Sequence, residues 1–210
     1  MRTRKRRTAG AAAAAAALAA TTLLCAPASG AAPGQTAEAV GTPPPPPARG
    51  RALTAVAKVS ADRLALADVV AAAKYGTGEP ISDPARERVV LDDVAERSAA
   101  RGVDRRLATA VFRDQIEASK GVQRGLFARW DLYPSERPAR RPDLAGEVRP
   151  RLDRITVRLL DGLAAAERPR GASSCTPRLM AGAVHEAGER RFDALHTQAL
   201  LRALPSVCGA

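Results

Sequence analysis

Residues 60–90 read SADRLALADVVAAAKYGTGEPISDPARERVV, and the pattern of this stretch decides the fold. Ala, Leu and Val dominate its first half, with Arg63 and Lys74 set among them. Eleven residues on an α-helix make about three turns plus 20°, so both cations share one face roughly 16 Å apart. Gly76-Thr77-Gly78 ends that helix, and Pro80-Ile81-Ser82-Asp83-Pro84 reads as a break followed by a new start. Asp83 supplies an N-cap and Pro84 the first helical position. Arg86 then falls on the third position, where the helix dipole favours an acid over a cation. A residue set against its local preference calls for a tertiary or functional reason. Taken singly, each of the three cations also fits a solvated helix face, so partners are needed to decide the matter.

Towards the N-terminus, five cations within residues 2–7 precede an apolar run from Ala9 to about Ala26, with small residues near Ala28-Ser29-Gly30. This is the pattern of a secretory signal peptide over residues 1–30, which implies a secreted, extracytoplasmic protein. No later stretch approaches the ~20 apolar residues of a membrane span, so no stable membrane insertion is expected once the signal is removed. Removal takes Cys25 with it, and leaves 33 − 5 = 28 bases against 22 acids, a net charge of +6 in place of +11. Residues 31–50 are rich in Ala, Gly, Thr and Pro, including Pro43 to Pro47, and read as an extended disordered linker. The globular part is then residues 51–210, enough for one domain with a single core.

Beyond residue 90 the chain continues as helix and turn, with no strand alternation and no repeat. The expected helices run from about Leu53 to Tyr75, from Pro84 to about Ala100, from after Asp104 to about Trp130, from near Asp143, and from Thr176-Pro177 to about Leu204. Val56, Val59, Leu64, Ala67, Val70 and Ala71 mark a buried stripe on the first, and Val89, Val90, Leu91 and Val94 the apolar set of the second. The class is all-α, a single domain of about five to six packed helices. Residues 131–142, rich in proline and charge, read as a surface loop with Arg137, Arg140 and Arg141 solvated. His185, Glu189, Asp193 and His196 lie at helical spacing, but no tight His pair or Cys joins them. They read as a solvated stripe in preference to a metal site.

The third helix supplies the partners. Ser119 and Gln123 are four apart and share a face, and Arg149 follows after the loop. Cations with one hydroxyl and one amide, and no evident nucleophile or base, suit binding a dianion and stabilising charge that develops in a reaction. Two cysteines remain, Cys175 and Cys208, and an even pair in an exported chain reads as one disulfide.

These residues resemble the all-helical chorismate mutases, in particular their exported subclass. That family's pattern is an Arg, a Lys eleven later, an Arg twelve after that, and much later a Ser or Thr followed four residues on by Gln or Glu. Arg63, Lys74, Arg86, Ser119 and Gln123 reproduce it, and Asp62-Arg63-Leu64, Asp114-Gln115-Ile116, Trp130 and Asp143-Leu144 extend the likeness. The resemblance implies an isomerase that rearranges chorismate to prephenate without a cofactor or metal. It assigns Arg63 and Arg149 to the substrate carboxylates, Lys74 and Gln123 to the ether oxygen, and Arg86 and Ser119 to the remaining polar contacts. Asp83 and Glu87 match positions that meet the ring hydroxyl in some relatives. Arg149 lies one loop residue further on than in exported relatives, which leaves its neighbours Arg151 and Arg154 as alternatives. Val90 stands where some members carry a polar residue. The subclass suggests a homodimer, although no interface stripe stands out.

Two other classes compete. One is an inactive helical module that binds an anionic small molecule. The other, a nucleic-acid-binding protein, is disfavoured by export, by six aromatic residues in all and by cations set among apolar positions.

Overall fold

The Asp83 carboxylate accepts a hydrogen bond from the Arg86 amide at 2.9 Å, and Pro84 takes the first position of a helix, as the sequence predicts. The computed structural model describes residues 48–209, so the expected signal peptide and most of the linker lie outside the described residues. All described elements are helical: α1 (Ala48–Leu64), α2 (Leu66–Lys74), α3 (Pro84–Ala99), α4 (Arg105–Leu132), α5 (Arg149–Ala165), α6 (Glu167–Arg170), α7 (Cys175–Glu189) and α8 (Ala194–Arg202). Asp104 caps α4 by accepting from the Leu107 amide at 2.8 Å. No described helix is long and apolar enough to cross a membrane.

Helix α1 sits at the centre, packed on α7 and α5, while α4 packs on α3, α2 and α8. Leu53, Val56 and Leu64 of α1, Phe112 of α4, Leu159, Leu160 and Leu163 of α5, Leu179 of α7 and Leu200 of α8 are buried in one core. Gly182 lies where α7 meets α1, and a Cβ there would stand 3.4 Å from that of Ala57.

Several expectations need correcting. The first expected helix is interrupted at Ala65, giving α1 and α2. Val89 is 54% exposed and lies outside the core. The last helix starts at Cys175, not behind a Thr176 cap, and it breaks before α8. The break is a Schellman turn: Phe192 N–H donates to Ala187 O and Arg191 N–H to Gly188 O, with Arg191 at φ 52°. Glycine is the usual residue at such a position, and its absence hid the turn. Asp193 then caps α8, accepting from the His196 amide at 2.9 Å.

His196 is buried and not solvated. Its Nδ1 lies 2.6 Å from Asp193 and its Nε2 2.7 Å from Asp68 of α2. The loop arginines are also engaged. Arg137 donates to Trp130 O and lies over the Tyr75 ring, Arg141 donates to Tyr75 O, and Arg140 binds Glu147. A disulfide joins Cys175 at the start of α7 to Cys208 in the final turn.

Candidate active site

The break between α2 and α3 opens a cavity of about 450 Å³ between α2, α3, α4 and the start of α5. It gathers Arg63, Lys74, Arg86, Glu87, Ser119, Gln123 and Arg149, all seven side chains expected to form a site. Arg149 lines the cavity, whereas Arg151 and Arg154 do not. Val90 is on the wall too, and puts an apolar surface one turn after Arg86.

Local structure explains each placement. Arg63 lies in the last turn of α1 and is 7% exposed, its guanidinium carbon 5.6 Å from the centre of the Phe112 ring. Its Nε is buried with no hydrogen-bond partner. Burial without a carboxylate pulls its pKa down to about 10. Lys74, last residue of α2, donates to Pro80 O at 2.8 Å, which folds the α2–α3 loop back along the cavity edge. Arg86 lies in the first turn of α3, pointed at the cavity from the helix N-terminus. Among the described residues, none of these four cations, Arg149 included, forms an ion pair.

On α4, the Gln123 Nε2 donates to Ser119 Oγ at 3.3 Å, and its Oε1 is buried without a partner. In the opposite orientation of this amide the Ser119 hydroxyl donates to Oε1, and Nε2 takes the place that has no partner. Arg149 follows a π-helical turn, Leu144–Val148, capped by Asp143. Pro150 follows Arg149 where the π-helical turn runs into α5.

The wall also holds a residue the sequence reading passed over. Lys120 is 7% exposed and bonds both oxygens of Glu87 at 3.1 Å, with Glu117 as a second partner. The signal was present, since Lys120 and Gln123 are three apart and share a helix face. Among the described residues, no group of three or more His, Cys, Asp or Glu is placed to hold a metal ion.

Unpaired buried polar groups are scarce in folded proteins, and here two of them belong to residues that line one cavity beside three further cations. Such a site is complementary to a compact anion with several carboxylates.

Known proteins share both the sequence and this frame. Residues 55–124 match the family chorismate mutase type II. The secreted chorismate mutase of Mycolicibacterium smegmatis is 33% identical over 169 residues, covering 80% of this chain and 93% of that protein. That of Mycobacterium tuberculosis is 31% identical over 158 residues, 75% of this chain and 79% of its own. The crystal structure of a chorismate mutase from Burkholderia phymatum superposes with a TM-score of 0.74 at 32% identity, over 78% of this chain and all of that one. One from Burkholderia thailandensis gives 0.71 at 42% identity, over 75% and 99%. At this identity and coverage the chain belongs to the chorismate mutase type II family.

Proposed function

We propose that the cavity binds chorismate and rearranges it to prephenate in one pericyclic step, with no covalent intermediate. In that step the ether C–O bond breaks as a C–C bond forms, and negative charge grows on the ether oxygen. The observation that carries the reading is the set of unpaired cations around one cavity of ligand size. Arg63 and Arg149 hold the two carboxylates and select the folded conformer in which the reacting carbons meet. Lys74 and the Gln123 amide donate to the ether oxygen, so their bonds strengthen as the reaction proceeds. Arg86 and Ser119 complete the polar contacts. All seven residues come from one chain, so a homodimer is not needed to complete the site.

We infer export as well, from the basic and apolar N-terminus and from relatives named as secreted. Secreted material should start between Ser29 and Ala32 by intact mass, and a retained Cys25 would refute removal of the signal. Purified protein should deplete the chorismate absorbance and accumulate prephenate. Binding of chorismate without turnover would leave an inactive helical module that holds an anion.

A further inference from the structure

Thr156 is a polar residue on the apolar face of α5. It is 6% exposed and lines the cavity. It shares its helix face with Arg149 two turns before it and with Leu159, Leu160 and Leu163 of the core. A buried hydroxyl costs free energy unless it is hydrogen-bonded. A helical threonine commonly meets that cost by donating to a carbonyl one turn back. Thr54 does so to Gly50 O at 3.0 Å and Thr109 to Arg105 O at 2.9 Å. Among the described residues, the Thr156 hydroxyl has no hydrogen bond at all.

The register between α1 and α5 shows what lies beside it. The two helices pack antiparallel, with Gly162 against Val56 and, one turn earlier in α5, Arg158 on Asp62. Continuing towards Arg149 brings Thr156 to the level of Arg63, which is also buried and also lines the cavity. The Arg63 Nε–H has no partner either. Two helices thus bring a guanidinium and a hydroxyl to one part of the cavity, each with a donor that the protein leaves unused. A carboxylate accepts at two oxygens and can take both. Valine would fill the same place in α5 without the cost of a buried hydroxyl, so the hydroxyl calls for a partner from outside the chain.

We propose that Thr156 is a further substrate-binding residue, whose hydroxyl donates to the carboxylate that Arg63 holds. The proposal rests on the mutase reading above and adds a contact to it. The carboxylate is charged before and during the reaction, so the bond serves ground and transition states alike.

Steady-state kinetics, calorimetric binding of prephenate and thermal melts on wild type, Thr156→Val and Thr156→Ser test it. Valine keeps the shape and removes the donor, while serine keeps the donor. Thr156→Val should raise KM for chorismate about tenfold with kcat within about twofold, as expected for a lost bond to a charged group that is made throughout. Its Kd for prephenate, which carries two carboxylates as well, should rise by a similar factor. Its melting temperature should stay level or rise, because an unbonded buried hydroxyl has become a methyl group. Thr156→Ser should keep KM within about threefold of wild type. A purely structural threonine would give the reverse, a lower melting temperature in Thr156→Val with KM unmoved. An unchanged KM in Thr156→Val overturns the proposal, as does a loss confined to kcat or a rise in KM that Thr156→Ser shares. Failure of Thr156→Val to fold overturns it too, since the hydroxyl would then serve the fold. A wild type that leaves chorismate intact overturns the mutase reading and this proposal together. An active wild type with KM unmoved in Thr156→Val overturns this proposal alone.

Discussion

Asp62 and Arg63 are neighbours in sequence with opposite fates. On the far side of α1 from the cavity, Asp62 binds Arg190 at 2.6 Å and Arg158 at 2.9 Å, tying α1 to α7 and α5. One residue on, Arg63 is buried and has no acid at all. The same contrast divides the molecule. The α1–α7–α8 side pairs its charges, with Glu186 also on Arg190 and His196 between Asp68 and Asp193, and it is closed by the disulfide. On the cavity side Lys120 is paired with Glu87 and Arg97 with Asp93, but four cations are left waiting. Pairing serves stability, and unpaired charge marks where a ligand supplies the missing partner.

The sharpest break of this contrast removes a donor from the cavity side. Lys74→Ala should lower kcat more than it raises KM, because its bond strengthens in the transition state, and the loss should be about 10²–10³-fold in kcat. A change confined to KM would refute that role. Gln123→Glu tests the same oxygen through pH. The wild-type amide does not titrate, so kcat should stay flat from mildly acidic to neutral pH, whereas the variant must be protonated to donate and should lose activity as pH rises. Equal activity of the variant at both ends would mean that Gln123 faces elsewhere.

On the paired side the largest effect is reduction of Cys175–Cys208. The bond spans 33 residues, and its loss should lower stability by about 3–4 kcal/mol on the chain-entropy estimate while still-folded protein keeps its turnover. Denaturant midpoints with and without reductant measure this. Arg63→Met sharpens the contrast from the other side, as it should abolish activity yet raise stability by about 1–3 kcal/mol, since an uncompensated buried charge goes with it. Thermal melts showing a loss of stability would mean that Arg63 holds the core together.

The smallest effect belongs to His196. Hydrogen bonding to Asp68, helped by Asp193 and opposed by burial, raises its pKa from 6.5 to about 9. The folded value lies above the unfolded one, so its contribution is complete below about pH 6.5 and fades as pH rises through about 9. A fall of about 1–2 kcal/mol in stability between pH 6.5 and 10 should appear in wild type and be missing in His196→Gln.

The cavity side was far more legible in the sequence than the paired side, for a physical reason. Caps and helical spacing are local, so Asp83-Pro84, Asp104 and the eleven-residue step from Arg63 to Lys74 could be read directly. Ion pairs such as Asp62–Arg190 join residues 128 apart, and nothing local announces them. Arg191 in a left-handed turn carries no glycine signal, and Lys120 looks like any helix-surface lysine until α3 is folded against it. The Arg149 placement fell between these cases. Spacing alone left three arginines open, and the turn ahead of it settled which one meets the cavity.

That turn has a consequence for how the loop before it can change. Val148 N–H bonds Asp143 O and Arg149 N–H bonds Leu144 O, both five residues back, so each loop of chain holds one residue more than an α-turn would. A Cβ at Gly146 would lie 2.7 Å from the Asp143 carboxylate, which would have to turn aside. In a regular helix one added residue rotates everything after it by about 100°, which would swing Arg149 off the cavity. A widened turn acts instead as slack in the chain, taking up a residue while the side chains beyond it keep their phase. Loops of different length can therefore lead into α5 and still deliver an arginine to the same wall.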